Sequence, residues 1–292
     1  MNFKPAALIA ALAVLTACGS SAASNAGNAS SASPSPTGLH RIVSLSPTAT
    51  EMLFAIGAGR QVVAVDSTSN YPATAPKTNL SAYQPNVEAI ARYTPDLVVV
   101  ADDTKHLSAQ LGKVKIPVLV QPAATTLDDT YREITALGDK TGHHAEAVRL
   151  VDSMRARITQ LVASVPRRAK PLTYYHELDN TLYTVTSKTF VGQLYTLAGL
   201  RNIADPADKT GGGYPQLSAE YLVKADPDLI FLADTKCCGL TAAKFGARPG
   251  FGQLSAVRDR HVVLLDDDVA SRWGPRVVDF LNQIIGVAKP IP

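Results

Sequence analysis

The chain has 292 residues, 46% of them hydrophobic, enough to bury one large core or two modest ones. Its 28 basic and 25 acidic residues leave a formal charge of +3, with the basic groups scattered, which excludes the concentrated positive face of a nucleic-acid binder. Aromatic residues are sparse at 6%, and Trp273 is the single tryptophan beside ten tyrosines.

Residues 1–18 read as an export signal. Lys4 supplies the positive start, and the apolar run from Pro5 to Leu15 is too short to span a bilayer in the mature protein. The ending Leu15-Thr16-Ala17-Cys18-Gly19 is similar to a bacterial lipobox, where cleavage leaves the cysteine first and its thiol is lipidated. Cys18 is therefore the expected lipid-bearing residue, and stable anchoring takes two or more acyl chains. Residues 19–38 are almost wholly Ser, Ala, Asn, Gly and Pro, a composition that cannot bury enough apolar surface to offset its ordering entropy. Such a disordered tether reaches roughly 25 Å. The folded part is expected to begin near Leu39 and to work outside the cytoplasm, leashed to the outer face of the cell membrane.

From Leu39 the pattern alternates short apolar strands with amphipathic helices. Residues 41–45, 61–65, 96–100 and 116–120 are β-branched runs apolar at almost every position, which suits parallel strands covered on both faces. The helix over 49–57 ends at Gly57, and that over 86–93 starts at Asn86 as N-cap and stops before Pro95. This is an α/β lobe over residues 39–142. Residues 143–166 then carry Val148, Val151, Met154, Ile158, Leu161 and Val165 at three- and four-residue steps, the stripe of one long helix. Its 23 residues from His143 to Val165 span about 35 Å with no Gly or Pro inside, so a rigid helix is expected to join two lobes.

Residues 167–292 repeat the scheme, with strands expected over 172–177, 181–185, 228–232 and 261–265. Helices are expected over 189–199, 218–225 and 275–288, the last with Pro275 in its first turn. The repeat is literal: NVEAIARYTPDLVVVAD, starting at Asn86, returns as SAEYLVKADPDLIFLAD, starting at Ser218. Pro95, Asp96, Leu97 and Asp102 recur as Pro227, Asp228, Leu229 and Asp234, and Glu88 as Glu220, an offset of 132 residues. That offset is too long for a solenoid and fits a duplicated lobe. Cys237 and Cys238 lack metal-ligand spacing, and as an adjacent pair outside the cytoplasm they read as two buried thiols or a vicinal disulfide with a structural role in a loop. No nucleophile elbow, His-Glu-x-x-His motif or spaced Cys–His arrangement occurs, so the chain reads as a binder and not an enzyme, with no resident cofactor or metal.

The stretch RIVSLSPTATEMLFAIGAGRQVVAVDSTSNYP, with its Ser46-Pro47-x-x-Thr50-Glu51 turn and Tyr71-Pro72 pair, resembles the opening of the substrate-binding proteins for cobalamin and iron chelates, the BtuF- and FhuD-like group. The likeness continues through the repeat and SRWGPRVVDFL, from Leu39 to Val287. It implies a periplasmic-binding-protein-like α/β fold of two lobes, with mostly parallel sheets joined by a single long bridging helix. It further implies a monomeric lipoprotein that holds a bulky metal chelate in its cleft and delivers it to the permease dimer and ATPase of an ABC importer. One surface glutamate per lobe meets that importer in the family, which carries over to Glu88 and Glu220. A negative charge at a helix start also stabilises locally by about 0.3–1 kcal/mol, so either glutamate alone has a plainer explanation.

Open α/β sheets bind ligands at the carboxyl ends of their strands. The loops there hold Tyr71, Tyr83, His176, Tyr183, Arg272 and Trp273 as candidate ligand-binding residues. Tyr83 and Tyr183 fall where cobalamin-binding relatives carry aromatics, while Val269 stands where some of them have one. His176 reads either as a ligand contact or as a satisfied strand-end histidine, and Arg276 as a partner of Asp266 to Asp268. The expected ligand is cobalamin or a related corrinoid, with a ferric siderophore or haem as the alternative. A siderophore calls for several cationic anchors where only Arg272 is in view, and haem for a His or Tyr axial ligand.

Overall fold

The structure is a computed structural model that describes residues 41–292. The readings of the signal, of Cys18 and of the tether lie outside the described residues. Strands β1 (Ile42–Leu45), β2 (Val62–Asp66), β3 (Lys77–Leu80), β4 (Leu97–Val100) and β5 (Val118–Val120) form one sheet in the order β3-β2-β1-β4-β5. Strands β6 (Thr173–Glu177), β7 (Arg201–Asn202), β8 (Leu229–Leu232) and β9 (Val262–Leu264) form a second in the order β7-β6-β8-β9. Every pairing in both sheets is parallel. The first lobe carries helices α1 (Pro47–Ala55), α2 (Val87–Ala91) and α3 (Leu107–Lys113), and α4 (Leu127–Thr141) and α5 (His144–Ala163) follow. The second carries α6 (Phe190–Leu197), α7 (Ala219–Ala225), α8 (Thr235–Cys238), α9 (Ala242–Gly246), α10 (Ser255–Arg258), α11 (Asp267–Ala270) and α12 (Val277–Ala288). No helix among the described residues is long and apolar enough to cross a membrane.

The inner strands β1, β4, β6 and β8 are buried at every residue, as strands covered on both faces must be. The repeat places equivalent pieces equivalently: β4 lies beside β1 with Leu97 opposite Ile42, and β8 beside β6 with Leu229 opposite Tyr174. Asn86 and Ser218 cap the preceding helices by accepting from the amides of Ala89 and Tyr221. The recurrent aspartate has a physical task as well. Asp96 accepts the backbone N–H of Arg41 at 3.1 Å, and Asp228 accepts the N–H and hydroxyl of Thr173 at 2.7 Å each. In each lobe a carboxylate at the start of one inner strand thus fixes the start of its neighbour.

Two sequence expectations need correction. Residues 181–185 form no strand, since Tyr183 and Thr184 make only isolated antiparallel bridges to Gln216 and Glu177. Helix α12 begins at Val277, two residues past Pro275. The helix expected over 143–166 is present as α5, and α4 packs beside it. Helix α4, opened by a Thr126/Asp129 capping box, has its first turn against the second lobe, where Gln193 donates to the carbonyl of Thr125 at 2.7 Å. Its last turn lies on the first lobe, where Gln61 donates to the carbonyl of Thr141 at 3.0 Å. Gly142 closes α4 with φ of 77°, a left-handed cap that turns the chain back into α5.

These two helices and α12 fuse the lobes. Met52 and Leu53 of α1, Ile134 of α4, Ile158 of α5, Tyr195 of α6 and Phe280 of α12 are all part of one continuous apolar cluster. Each such side chain contributes about 1.5–3 kcal/mol by its burial. A core shared in this way resists independent motion of the lobes, because sliding them would expose it to water.

Candidate functional site

The carboxyl ends of the strands meet at a cleft of about 380 Å³, towards the small end of ligand-binding cavities. The first lobe supplies the turn Leu45 to Thr48, Thr68, Ala82, Tyr83, Ala101 and Asp102; the second supplies Asp268, Ser271, Arg272 and Trp273. The turn is built by the Ser-Pro-x-x-Thr-Glu motif. Ser46 caps α1 by accepting the amide of Ala49 at 3.2 Å, and Pro47 takes the first helical position, where a missing N–H costs nothing. Thr50 joins the hydroxyls of Ser44 and Ser69 at 2.9 and 3.1 Å, tying α1 to β1 and to the loop after β2.

The last residue of the motif controls the site's electrostatics. Glu51 is buried on α1, and an unpaired charge there would be strongly unfavourable. It is paired twice across the lobe boundary. Its carboxylate accepts from Arg272 Nη1 at 2.8 Å and from Arg276 Nε at 2.8 Å, with Arg276 Nη2 making a further contact. Arg272 donates onward to the carbonyl of Thr68 at 3.2 Å and to Asp268 at 2.7 Å. Asp268 accepts from Asn70 of the first lobe and from Lys236, each at 2.9 Å, and Lys236 also reaches Asp266 at 2.7 Å. Glu51, Asp266 and Asp268 balance Arg272, Arg276 and Lys236, so the network is formally neutral. The hydrogen bonds favour the charged forms: Asp268 is held below the usual carboxylate range by Lys236, Asn70 and Arg272 against the opposing effect of burial.

Of the candidate residues, the structure brings three together: Tyr83, Arg272 and Trp273 line the one cleft. Tyr83 is 79% exposed, an open aromatic face on the first lobe. Trp273 is half-buried and pinned to α4, its indole N–H donating to Glu133 Oε2 at 2.8 Å and its carbonyl accepting from Thr130 at 2.9 Å. Burial pushes the Glu133 carboxyl up to about 7, with the Trp273 hydrogen bond opposing that rise. Arg272 lines the cleft as a paired residue, its side chain 8% exposed and its guanidinium committed to Glu51 and Asp268. Arg276 is corrected, pairing with Glu51 rather than with Asp266 to Asp268.

The remaining candidates lie elsewhere. Tyr71 lines a separate hollow with Phe54, Pro72 and Pro275, its ring 4.3 Å from the Arg276 guanidinium. Tyr183 is exposed but is not among the residues lining the cleft. His176 is fully buried in β6, where its Nδ1 meets the Tyr195 hydroxyl at 2.8 Å. Burial holds its ring neutral, with the pKa lowered to about 3, so the reading of His176 as a ligand contact is corrected to that of a core residue. The sequence position at a strand end did not disclose which face it occupies. Glu88 and Glu220 are exposed in the first turns of α2 and α7 and take no part in the cleft. Backbone N–H at its helix start and the Ser218 side chain hold the Glu220 carboxyl below the usual range. Among the described residues no group of three or more His, Cys, Asp or Glu is placed to hold a metal ion.

Next to His176, on the opposite face of β6, Glu177 is fully buried against Arg248, with Nη1 to Oε2 at 2.9 Å. Burial, resisted by Arg248, pushes the Glu177 carboxyl up from 4.5 to about 7. The native state therefore binds more protons than the unfolded chain between those values. The stability this group contributes is full below 4.5 and lost as pH rises through about 7. Glu177→Gln should flatten the decline of melting temperature between about pH 4.5 and 8, read by calorimetry across buffers. An unchanged slope would show that Glu177 titrates normally.

Glu51 was missed by sequence reasoning although its motif was in view. The usable signal was a lone carboxylate between Thr50 and Met52 in a helix otherwise free of charge, which, once buried, demands a cation from elsewhere in the chain.

A profile of the periplasmic binding protein family matches residues 42–269. The uncharacterized ABC transporter substrate-binding lipoprotein YvrC of Bacillus subtilis is 29% identical over 257 residues, 84% of this chain and 78% of that protein. A cobalamin-binding protein of Halobacterium salinarum is 31% identical over 252 residues, 82% of this chain and 66% of that protein. The crystal structure of the periplasmic vitamin B12 binding protein BtuF of Vibrio cholerae matches with a TM-score of 0.70 at 26% identity, covering 86% of this chain and 97% of that one.

Proposed function

The chain belongs to the periplasmic binding protein family, and on that footing we propose that it captures cobalamin or a related corrinoid outside the cytoplasm and hands it to an ABC importer. In this reading Cys18 carries the lipid anchor, residues 19–38 are the tether, and lobes 39–142 and 167–292 flank the helix 143–166. The monomer then meets a permease dimer and its ATPase through Glu88 and Glu220. One observation carries the choice of ligand class: the cleft presents aromatic faces at Tyr83 and Trp273 beside a network whose cations are already paired. A macrocycle with peripheral amides suits such a wall, held by apolar contact with a few polar anchors. A multiply anionic ferric siderophore meets no uncommitted arginine there, and the acidic Asp102 and Asp268 lie in the lining.

Isothermal calorimetry with cyanocobalamin, haemin and a ferric hydroxamate tests the reading. Cyanocobalamin should bind one per chain with a Kd of about 1 µM or tighter, roughly −8 kcal/mol. Failure to bind any corrinoid would overturn it, and saturable binding of haemin or the hydroxamate in its place would move the function to iron uptake.

A further inference from the structure

Cys237 and Cys238 end helix α8 as free, exposed thiols. We propose that they form a thiol–disulfide site behind the cleft wall, next in sequence to Lys236, which binds the cleft-lining Asp268; a low-molecular-weight disulfide oxidises it to a vicinal disulfide, and oxidation loosens the Arg272 wall. The proposal rests on the reading that the folded part works outside the cytoplasm, where disulfides persist.

The reaction balances within the pair and its reagent. One cysteine thiolate opens the S–S bond of the reagent and forms a mixed disulfide. The second thiolate displaces the remaining half, so one S–S bond is made in the protein. The reagent leaves as two thiols, carrying the two electrons and the two protons.

Adjacent Cα atoms stand 3.8 Å apart, below the roughly 4.4–6.8 Å of ordinary disulfides, and successive helical side chains diverge. The bond therefore cannot close on an intact α8. Once closed it is strained, and strained, exposed disulfides are the readily reduced ones. The Cys237 thiol is pushed up to about 12, first by its hydrogen bond with Cys238, which keeps it protonated while α8 is formed.

What α8 holds gives the reaction a consequence. The amides of Thr235, Lys236 and Cys237 all donate to the carboxylate of Asp267, each at 2.9 Å. Lys236 binds Asp268 at 2.9 Å, and Asp268 holds Arg272 at 2.7 Å on the cleft wall. Closing the ring forces the backbone torsions at Cys237 and Cys238 out of the helical region, which unwinds α8 and strains the adjoining Lys236–Cys237 peptide whose N–H Asp267 holds, and with it the position of Lys236. Asp268 then keeps Asn70 but loses Lys236, and its hold on Arg272 loosens.

The test uses the full-length protein, incubated with oxidised glutathione and digested with trypsin. Both cysteines fall in the single fragment 237–244, between Lys236 and Lys244. The expected result is loss of two hydrogens from that fragment, reversed by dithiothreitol. With it should come faster amide exchange over 266–273 and about tenfold weaker cyanocobalamin binding, the loss of roughly one charge-assisted hydrogen bond. The double variant Cys237→Ser, Cys238→Ser should respond to neither reagent. Stable glutathione adducts or intermolecular dimers in place of the internal bond would overturn the site. Unchanged exchange over 266–273 in the oxidised form would overturn its link to the wall. If the reduced protein binds no corrinoid, the chelate reading fails on its own, while the fragment mass and the exchange rates still decide the redox site.

Discussion

Replacing Glu51 with alanine should lower the free energy of unfolding by about 3–5 kcal/mol, the range measured when one partner of a buried ion pair is removed. Two guanidinium groups, Arg272 and Arg276, share this carboxylate, and the Glu51 and Arg272 side chains are only 1% and 8% exposed. Removing it leaves both cations short of a partner in a place water reaches poorly. Against a typical stability of about 5–15 kcal/mol, that is a large fraction. The midpoint of urea unfolding should fall with little change in slope, since the surface exposed on unfolding is nearly the same. A loss below about 1 kcal/mol would place the pair in the class of weak surface salt bridges and remove it as the element fixing the cleft wall. Replacing Glu51, Arg272 and Arg276 together by apolar residues of similar volume should recover much of the loss, because an apolar core owes no desolvation penalty.

Reversing both charges proposed to meet the importer, Glu88→Lys with Glu220→Lys, should abolish uptake of the ligand by whole cells and leave its affinity for the purified protein unchanged. Both glutamates are exposed, both lie in a helix first turn, and neither touches the cleft. Each reversal forfeits a helix-start interaction worth about 0.3–1 kcal/mol, too little to unfold the protein. Yet the duplicated lobe sets the same charge at the start of α2 and α7, the helices that lead into the equivalent strands β4 and β8. A partner with two-fold symmetry can meet such a pair with the same surface twice. Uptake at the normal rate by the double variant would remove the docking role. Lost affinity would mean that the substitutions disturb the cleft instead.

Much of the architecture was legible in the sequence because parallel sheets buried on both faces write themselves as unbroken apolar runs. The runs in β1, β4, β6 and β8 are of this kind, and the internal repeat assigned them to two equivalent units. The edge strand β3, with the sequence KTNL and mostly solvent-facing, left no such mark, nor did the two-residue β7. Helix α4 is rich in polar residues and was not anticipated, although it packs beside the expected helix α5.

The site was less legible than the fold. Tyr83 and Trp273 follow from their place after strands, but the ionic network does not. Arg272 and Arg276 stand 221 and 225 residues from Glu51, and no local pattern records a contact over that separation. His176 stayed open between two readings for a different reason. Residues at a strand end point alternately to opposite faces, and at this end the face taken by His176 is roofed by Tyr195.

If the cleft between Tyr83 and Trp273 is the corrinoid site, hydrogen–deuterium exchange with and without saturating cyanocobalamin should register it there. Protection is expected over 45–48, 82–83, 101–102 and 268–273, the segments that line the cleft. Protection confined to the hollow beneath Tyr71 or to the outer face of α6, with these segments unchanged while ligand is bound, would contradict it.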